Sequence, residues 1–341
     1  EIDQDGIKVI GVPQTRLNVR ELYSKALNEV EGCNGLLIFG ADQHSVKTNY
    51  PYSINIMHGI GWDLPAERIC SAGGRYSLIG KVPVVGRTLA KHLLAYIRLR
   101  QIGNTKYSVL VDYNSINWYR TQVDTTISSN YKVILNFVNL PVPFLPCLER
   151  HNDDVVKILF ARRFQKFRGT EIMIVAVKKL LEIRSNVEVV FAGEGPEEGV
   201  IRKVFEGEKR VQVTSYLPEH SVDFHKGFNV AVVPSLASEG SSLALAEAMG
   251  AGCAVIASDV GGMTNMVIDG YNGCLIKPDA SSLLKKMIYL VDDVEARKFL
   301  AKRAFDTACT ALSLSKWESE WEGVIELAHG DSANECTQGD I

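Results

Sequence analysis

The sequence predicts an α/β protein built as two units, each a parallel sheet flanked by helices. Three observations lead there. A chain of 341 residues is longer than one hydrophobic core usually spans. Its second half alternates short apolar runs with stretches of helical composition, the pattern of a parallel sheet whose ligands bind outside the carboxyl ends of the strands. Between the halves, near residues 140–152, Pro141, Pro143 and Pro146 precede a polar run, as expected of an interdomain connection.

In the first half, Asp5–Val12, Asn34–Ala41, Ser53–Gly59, Thr105–Tyr113 and Tyr131–Val138 read as strands, with a helix over 19–30. The second half opens with strand Val155–Ala161 and helix 169–184. Strand Val187–Gly193, helix 196–208 and strand Val211–Leu217 follow. Asn229–Pro234 is then an apolar strand, and Ser235–Ser242 a loop of small polar residues. Leu243–Met249 has helix-forming composition, stopped by Gly250 and Gly252 before the buried strand Cys253–Ser258. Strand Gly273–Pro278 and helix Ser281–Asp293 complete the alternation. Near the C-terminus, Ser313–Ala328 carries Trp317, Trp321, Val324 and Leu327 along one helical face. The expected division is therefore residues 1–145, 146–312, a helix over 313–328, and a flexible tail over 329–341.

Composition bounds the function. Hydrophobic residues at 46% and charged residues at 23% describe a soluble globular protein, and a net charge of −3 selects no partner. No run approaches the length of a membrane-spanning helix, and no signal peptide is visible. Seven cysteines, odd in number and without a CxxC pair, fit a reducing compartment better than a disulfide framework, so a cytoplasmic location is expected. Cys70, Cys253 and Cys274 sit among small or apolar neighbours, as core thiols do. Charge is unevenly spread: between Glu67 and Asp112 there are eight Lys and Arg and no acid. Within that stretch, residues 86–103 form a basic amphipathic pattern with Leu89, Leu93, Tyr96 and Ile97 at helical spacing. Such a helix either packs on its own sheet or lies peripherally on the inner face of an anionic membrane. Nucleic acid is not an expected partner.

The chemistry is concentrated in Val232–Met263, where Glu239 falls in the loop and Glu247 about a turn and a half inside the following helix. The free amides at the start of that helix, those of Ser241, Ser242 and Leu243, suit an anion such as a diphosphate. Two carboxylates beside an anion site must face something else, and sugar hydroxyls are suitable partners. The combination describes a nucleotide-sugar pocket.

This stretch resembles the Glu-x7-Glu signature of retaining family-4 glycosyltransferases of the GT-B fold. Phe191–Glu198 is similar to that family's Gly-acidic-Gly-Pro turn, and Asp259–Leu283 to its GG, DG, NG and P-D run. The likeness covers about Val155–Leu327 well and Ser53–Val142 weakly. It implies two Rossmann-like domains facing a cleft, the first expected to lack its initial strand and Gly-rich loop. It implies that Glu239 holds hydroxyls of the transferred sugar and Glu247 those of the ribose. The amides of Ser241, Ser242 and Leu243 would meet the diphosphate, and Gly193 and Glu194 would form the turn beside the nucleotide. Arg162 and Arg168 take the family's Arg and Lys places, with Arg replacing Lys and Ala161 replacing Gly; Arg163 is a rival for Arg162, one residue along the strand end. A cationic pair can stabilise a departing diphosphate without a metal, so none is expected, and the nucleotide-sugar is a co-substrate rather than a cofactor. His58 resembles the first-domain histidine that faces the donor sugar. Transfer with retention to a glycan or lipid-linked acceptor, in surface polysaccharide assembly, is the implied reaction. Nothing marks out a carboxylate nucleophile, and the family expectation is a front-face mechanism. The C-terminal helix would cross back to the first domain. A non-catalytic GT-B binding subunit and a GT-B sugar-nucleotide epimerase are the alternatives; a nicotinamide enzyme would need GxGxxG after a strand, and Gly193-Glu194-Gly195-Pro196 does not supply it.

Overall fold

The computed structural model describes residues 2–4, 7–9, 19–31, 35–40, 45–59, 93, 96, 100–122, 130–140, 154–237 and 239–335. At its start β1 (Ile2–Gln4) and β2 (Ile7–Val9) form an antiparallel pair separate from the parallel sheets. Of the stretch Asp5–Val12, Ile7–Val9 forms the expected strand, but it pairs with Ile2–Gln4 instead of joining the parallel sheet; the rest of it lies outside the described residues.

The first unit carries α1 (Val19–Glu31) and a four-stranded parallel sheet. Its strands lie in the order β3 (Leu37–Phe39), β4 (Ser53–Met57), β5 (Tyr107–Leu110), β6 (Tyr131–Val133). After β5 comes α2 (Tyr113–Gln122), whose first turn Asp112 caps by accepting the Ser115 amide at 2.9 Å. Of the basic stretch 86–103, Leu93 and Tyr96 are exposed, and Arg100–Asn104 forms a 3-10 turn rather than the end of an α-helix. The rest of that stretch, Cys70 and the connection 141–153 lie outside the described residues.

In the second unit a six-stranded parallel sheet runs β12-β11-β10-β7-β8-β9. Its strands are β7 (Val156–Ala161), β8 (Val187–Ala192), β9 (Val211–Thr214), β10 (Val230–Val233), β11 (Ala254–Ser258) and β12 (Cys274–Ile276). Every residue of β10 and β11 is buried, because helices cover both faces of the sheet. The helices are α3 (Thr170–Ile183), α4 (Glu198–Val204), α5 (Ser221–His225), α6 (Leu243–Gly250), α7 (Ala280–Asp292), α8 (Val294–Ala311) and α9 (Leu314–Glu335). Phe160, Phe164 and Phe191 are fully buried between sheet and helices, with Phe160 centred 6.2 and 5.6 Å from the other two rings. Burying one such side chain contributes roughly 1.5–3 kcal/mol.

Helix α8 was not expected. Asp293 starts it by accepting the Ala296 amide at 2.9 Å, and its buried face is Arg297, Leu300, Ala301, Ala304 and Ala308. A face made largely of alanine allows close approach to α6 but gives a weak apolar stripe. Helix α9 then crosses to the first unit. Val324 and Ala328, with Trp317 and Trp321 beside them, pack on Ile54, Tyr107, Val109 and Ile134. Leu327, expected on that face, is 57% exposed, and its carbonyl instead accepts the Tyr107 hydroxyl at 3.3 Å. The helix continues to Glu335, past the boundary expected at 328.

Strand order decides where a site can form. From β7 the chain moves outward to β8 and β9, then returns to the other side of β7 to lay down β10, β11 and β12. The loops leaving β7 and β10 therefore diverge at a topological switch point, opening a crevice at the carboxyl edge.

Candidate active site

The loop after β7 supplies cations to that crevice. Arg162 continues the strand, its amide donating to the Ala192 carbonyl at 2.9 Å. Its neighbour Arg163 points the other way, as successive residues of an extended segment do, and is exposed on the lip of the cleft. Arg168 ends a 3-10 turn, Lys166–Arg168, that leads through Gly169 into α3. The turn after β8 closes over this loop: Phe164 donates its amide to the Glu194 carbonyl at 2.8 Å. Gly193 must be glycine, because a side-chain carbon there would stand 2.1 Å from the Arg162 carbonyl oxygen.

From β10 the chain brings the acid. Glu239 is 8% exposed, and its Oε1 accepts from Arg162 Nη2 at 2.5 Å, from the Ser235 hydroxyl at 2.5 Å and from Arg168 Nη1. Burial pushes this carboxyl up, but Arg162 and Arg168 outweigh it and hold Glu239 below the usual carboxylate range. Burial likewise works against the Arg162 charge, and Glu239 sustains it. Behind the loop, Gly262 donates its amide to the Glu239 carbonyl at 2.7 Å. A side-chain carbon on Gly261 would stand 2.3 Å from that same oxygen, so the glycine pair read in the sequence is the backstop of the Glu239 loop.

Glu247 lies further along the same cleft, in α6, with Leu243 and Ala244 on the wall beside it. Burial raises its carboxyl above the usual range, and the neighbouring Ser221 hydroxyl only partly offsets that. The cleft has a volume of about 800 Å³ and includes Gly193, Glu194, Arg162, Arg163 and Arg168 in its lining. Sequence reasoning missed Ser215, Tyr216 and Ser221, which line it too. The sequence reads Val211–Leu217 as strand throughout; β9 stops at Thr214, and the polar Thr214-Ser215 pair is the signal that the strand gives way to loop.

Ser241 and His58 lie where the two units meet. Ser241 and Ser242 are buried; the Ser241 hydroxyl accepts the Asn136 amide at 2.7 Å, and its carbonyl accepts Asn136 Nδ2 at 2.7 Å. Asn114 of α2 donates to the Gly261 carbonyl at 2.5 Å, a second tie between the units. His58 follows β4, and its carbonyl oxygen would stand 3.4 Å from a side-chain carbon built on Gly240. Its exposed ring meets the Gly40 carbonyl through Nε2 at 2.7 Å and does not line the cleft. Among the described residues no group of three His, Cys, Asp or Glu is placed to hold a metal.

A family model described as Glycosyl transferases group 1 matches residues 155–293, the stretch that builds this cleft. Residues 155–293 thus match a group 1 glycosyltransferase domain. Among similar proteins, the lipopolysaccharide 1,2-N-acetylglucosaminetransferase of Salmonella typhimurium is 27% identical over 186 residues, 51% of this chain and 47% of that protein. An uncharacterized glycosyltransferase of Methanocaldococcus jannaschii is 30% identical over 192 residues, 54% of this chain and 50% of its own length. The chain thus spans about half the length of the curated relatives it matches. Solved structures extend the likeness in fold to both units. A glycosyltransferase from Rickettsia africae superposes with a TM-score of 0.65 at 13% identity, over 94% of this chain and 84% of that one. Anabaena HepE in complex with UDP gives 0.64 at 14% identity, over 90% and 82%. The two sheets and the cleft are those of a GT-B glycosyltransferase fold. No helix among the described residues is long and apolar enough to cross a membrane.

Proposed function

We propose that this chain transfers a sugar, with retention at the anomeric carbon, from a nucleoside-diphosphate-sugar to a glycan or lipid-linked acceptor. The observation that carries the reading is the meeting of Arg162 and Arg168 at the switch point, on the wall of a cleft that holds Glu247 further along. Two guanidinium groups there can take the diphosphate bidentately and stabilise its negative charge as the glycosidic bond breaks. Glu247 accepts ribose hydroxyls, Glu239 accepts hydroxyls of the transferred sugar, and the amides at the start of α6 add to the diphosphate site. Leaving-group oxygens deprotonate the acceptor on the same face, so the protein contributes positioning and charge rather than a nucleophile. The two cations take the part a metal plays in other transferases, and activity insensitive to EDTA is the matching expectation.

Surface polysaccharide assembly is the setting we favour, supported by the lipopolysaccharide named for one relative. Exposed Leu93 and Tyr96 within the basic stretch support peripheral contact with an anionic bilayer. Flotation of the protein with anionic but not neutral liposomes is the expected result; flotation with neither removes the membrane contact.

The deciding experiment is a thermal-shift panel of UDP-, GDP-, dTDP- and ADP-sugars on the wild type and on Glu247→Ala. A ligand at about 100 times its dissociation constant adds roughly 2.7 kcal/mol of stability. One nucleotide should shift the wild type and not the variant, and Glu239→Ala should abolish transfer while melting cooperatively. A near-wild-type transfer rate in Glu239→Ala would remove the assignment.

A further inference from the structure

We infer that Glu239 is an internal competitor of the donor diphosphate: in the structure it occupies both guanidinium groups, and donor binding exchanges their partner. The inference rests on the nucleotide-sugar reading above. Three features of the geometry carry it. First, the two cations assigned to the diphosphate both end on one oxygen of Glu239, which also takes the Ser235 hydroxyl. A carboxylate saturated on that side by charged donors is poorly placed to accept sugar hydroxyls through the same oxygen. Second, Arg162 Nη1 is buried with no hydrogen-bond partner among the described residues, a costly state that an anion in the cleft would relieve. Third, Arg168 is anchored less deeply than Arg162, with side-chain exposures of 28% and 5%, so it can swing between partners at low cost.

The exchange proceeds without covalent chemistry. The diphosphate oxygens displace the carboxylate from Arg168 and engage Arg162, and Glu239, released from the cations, turns its acceptor oxygens to the transferred sugar. Ser235 is a positioning residue in this scheme, holding the carboxylate in its paired orientation. The device gives the site a preference for the complete donor over the bare diphosphate. Both ligands must break the same pairs, and only the donor gives Glu239 new partners in return.

The test is isothermal titration with inorganic pyrophosphate and with UDP, GDP, ADP and dTDP, on the wild type, Glu239→Gln, Arg168→Gln and the double variant. Glu239→Gln should bind the preferred nucleoside diphosphate at least about tenfold more tightly while transferring sugar more slowly. The gain should be smaller for the matching nucleotide-sugar, and most of it should vanish in the Arg168→Gln background, because the competitor's partner is then gone. Equal or weaker binding by Glu239→Gln overturns the exchange, as does a gain that Arg168→Gln leaves intact, which would mark a general charge effect. Should Glu239→Gln fail to melt cooperatively, Ser235→Ala keeps every charge and should tighten diphosphate binding about threefold; no tightening there also overturns it. A wild type that melts cooperatively and binds no diphosphate overturns both the exchange and the nucleotide-sugar reading. One that binds without any gain in the variants overturns the exchange alone.

Discussion

At one end of the cleft, buried behind the arginines that line it, Glu239 shares a single oxygen with two guanidinium groups and a hydroxyl. At the other, Glu247 sits on α6 with the Ser221 hydroxyl and no guanidinium beside it. Both carboxyls are largely buried, yet one is held below the ordinary carboxylate range and the other is pushed above it. Burial alone therefore does not set the state of an acid in this molecule; the partner charge does. The cationic end suits an anion, and the other end suits a neutral polyol.

The largest break in that contrast should come from Arg162→Ala. Removing this buried guanidinium leaves the buried carboxylate with only Arg168 and the Ser235 hydroxyl and should cost roughly 3 kcal/mol in urea denaturation, with loss of transfer. Arg168→Ala, at the more exposed partner, should cost clearly less stability and a similar share of activity. Equal stability losses would mean that the two cations are interchangeable.

Next is the acid sensitivity of the Glu247 end. Behind Ser221, His225 is buried in α5, with Nδ1 donating to the Ser221 carbonyl at 2.7 Å. Burial lowers its pKa from 6.5 to about 4. Between those values the unfolded chain binds a proton that the folded chain refuses, so stability is full above pH 6.5 and falls as pH drops toward 4. The loss amounts to about 3 kcal/mol, at 1.36 kcal/mol per unit. Urea midpoints for the wild type and His225→Gln, compared from pH 7 to 4.5, should diverge in slope; parallel curves would assign the acid sensitivity elsewhere.

The smallest effect sharpens the comparison. Glu247→Gln should weaken nucleoside diphosphate binding about tenfold at pH 7.5, or 1.4 kcal/mol. In the wild type the ionised carboxylate is present above its raised pKa and is lost as pH falls through it. Binding should therefore weaken on acidification earlier than for an ordinary carboxylate, and the variant should lack that step.

Most of the second unit was legible because its strands are buried on both faces and announce themselves as apolar runs ended by glycine or polar loops. The paired glutamates, Arg162 and Arg168 were singled out by their resemblance to a family's motifs, and the parallel alternation indicated only that a site would form at the strand ends. What escaped was set by packing rather than by local pattern. Helix α8 hides behind an alanine face, and Tyr216 was absorbed into a strand that stops before it. Nor could a linear reading show that Glu239 and the two arginines would find each other, since 77 and 71 positions separate them. Arg162 and Arg163, alternatives at the sequence level, part at the end of β7: the first is buried against Glu239 and the second is exposed on the lip of the cleft.

Helix α9 has a consequence for how the protein is made. The Tyr107 hydroxyl meets the Leu327 carbonyl across 220 positions of chain, and Trp317, Trp321 and Val324 cover the face formed by Ile54, Tyr107 and Val109. During synthesis, at roughly 5–20 residues per second, that apolar face of the first sheet waits uncovered for ten seconds or more while the whole second unit emerges from the ribosome. The unit translated first is thus completed last, and until α9 arrives it offers a surface on which a chaperone can act.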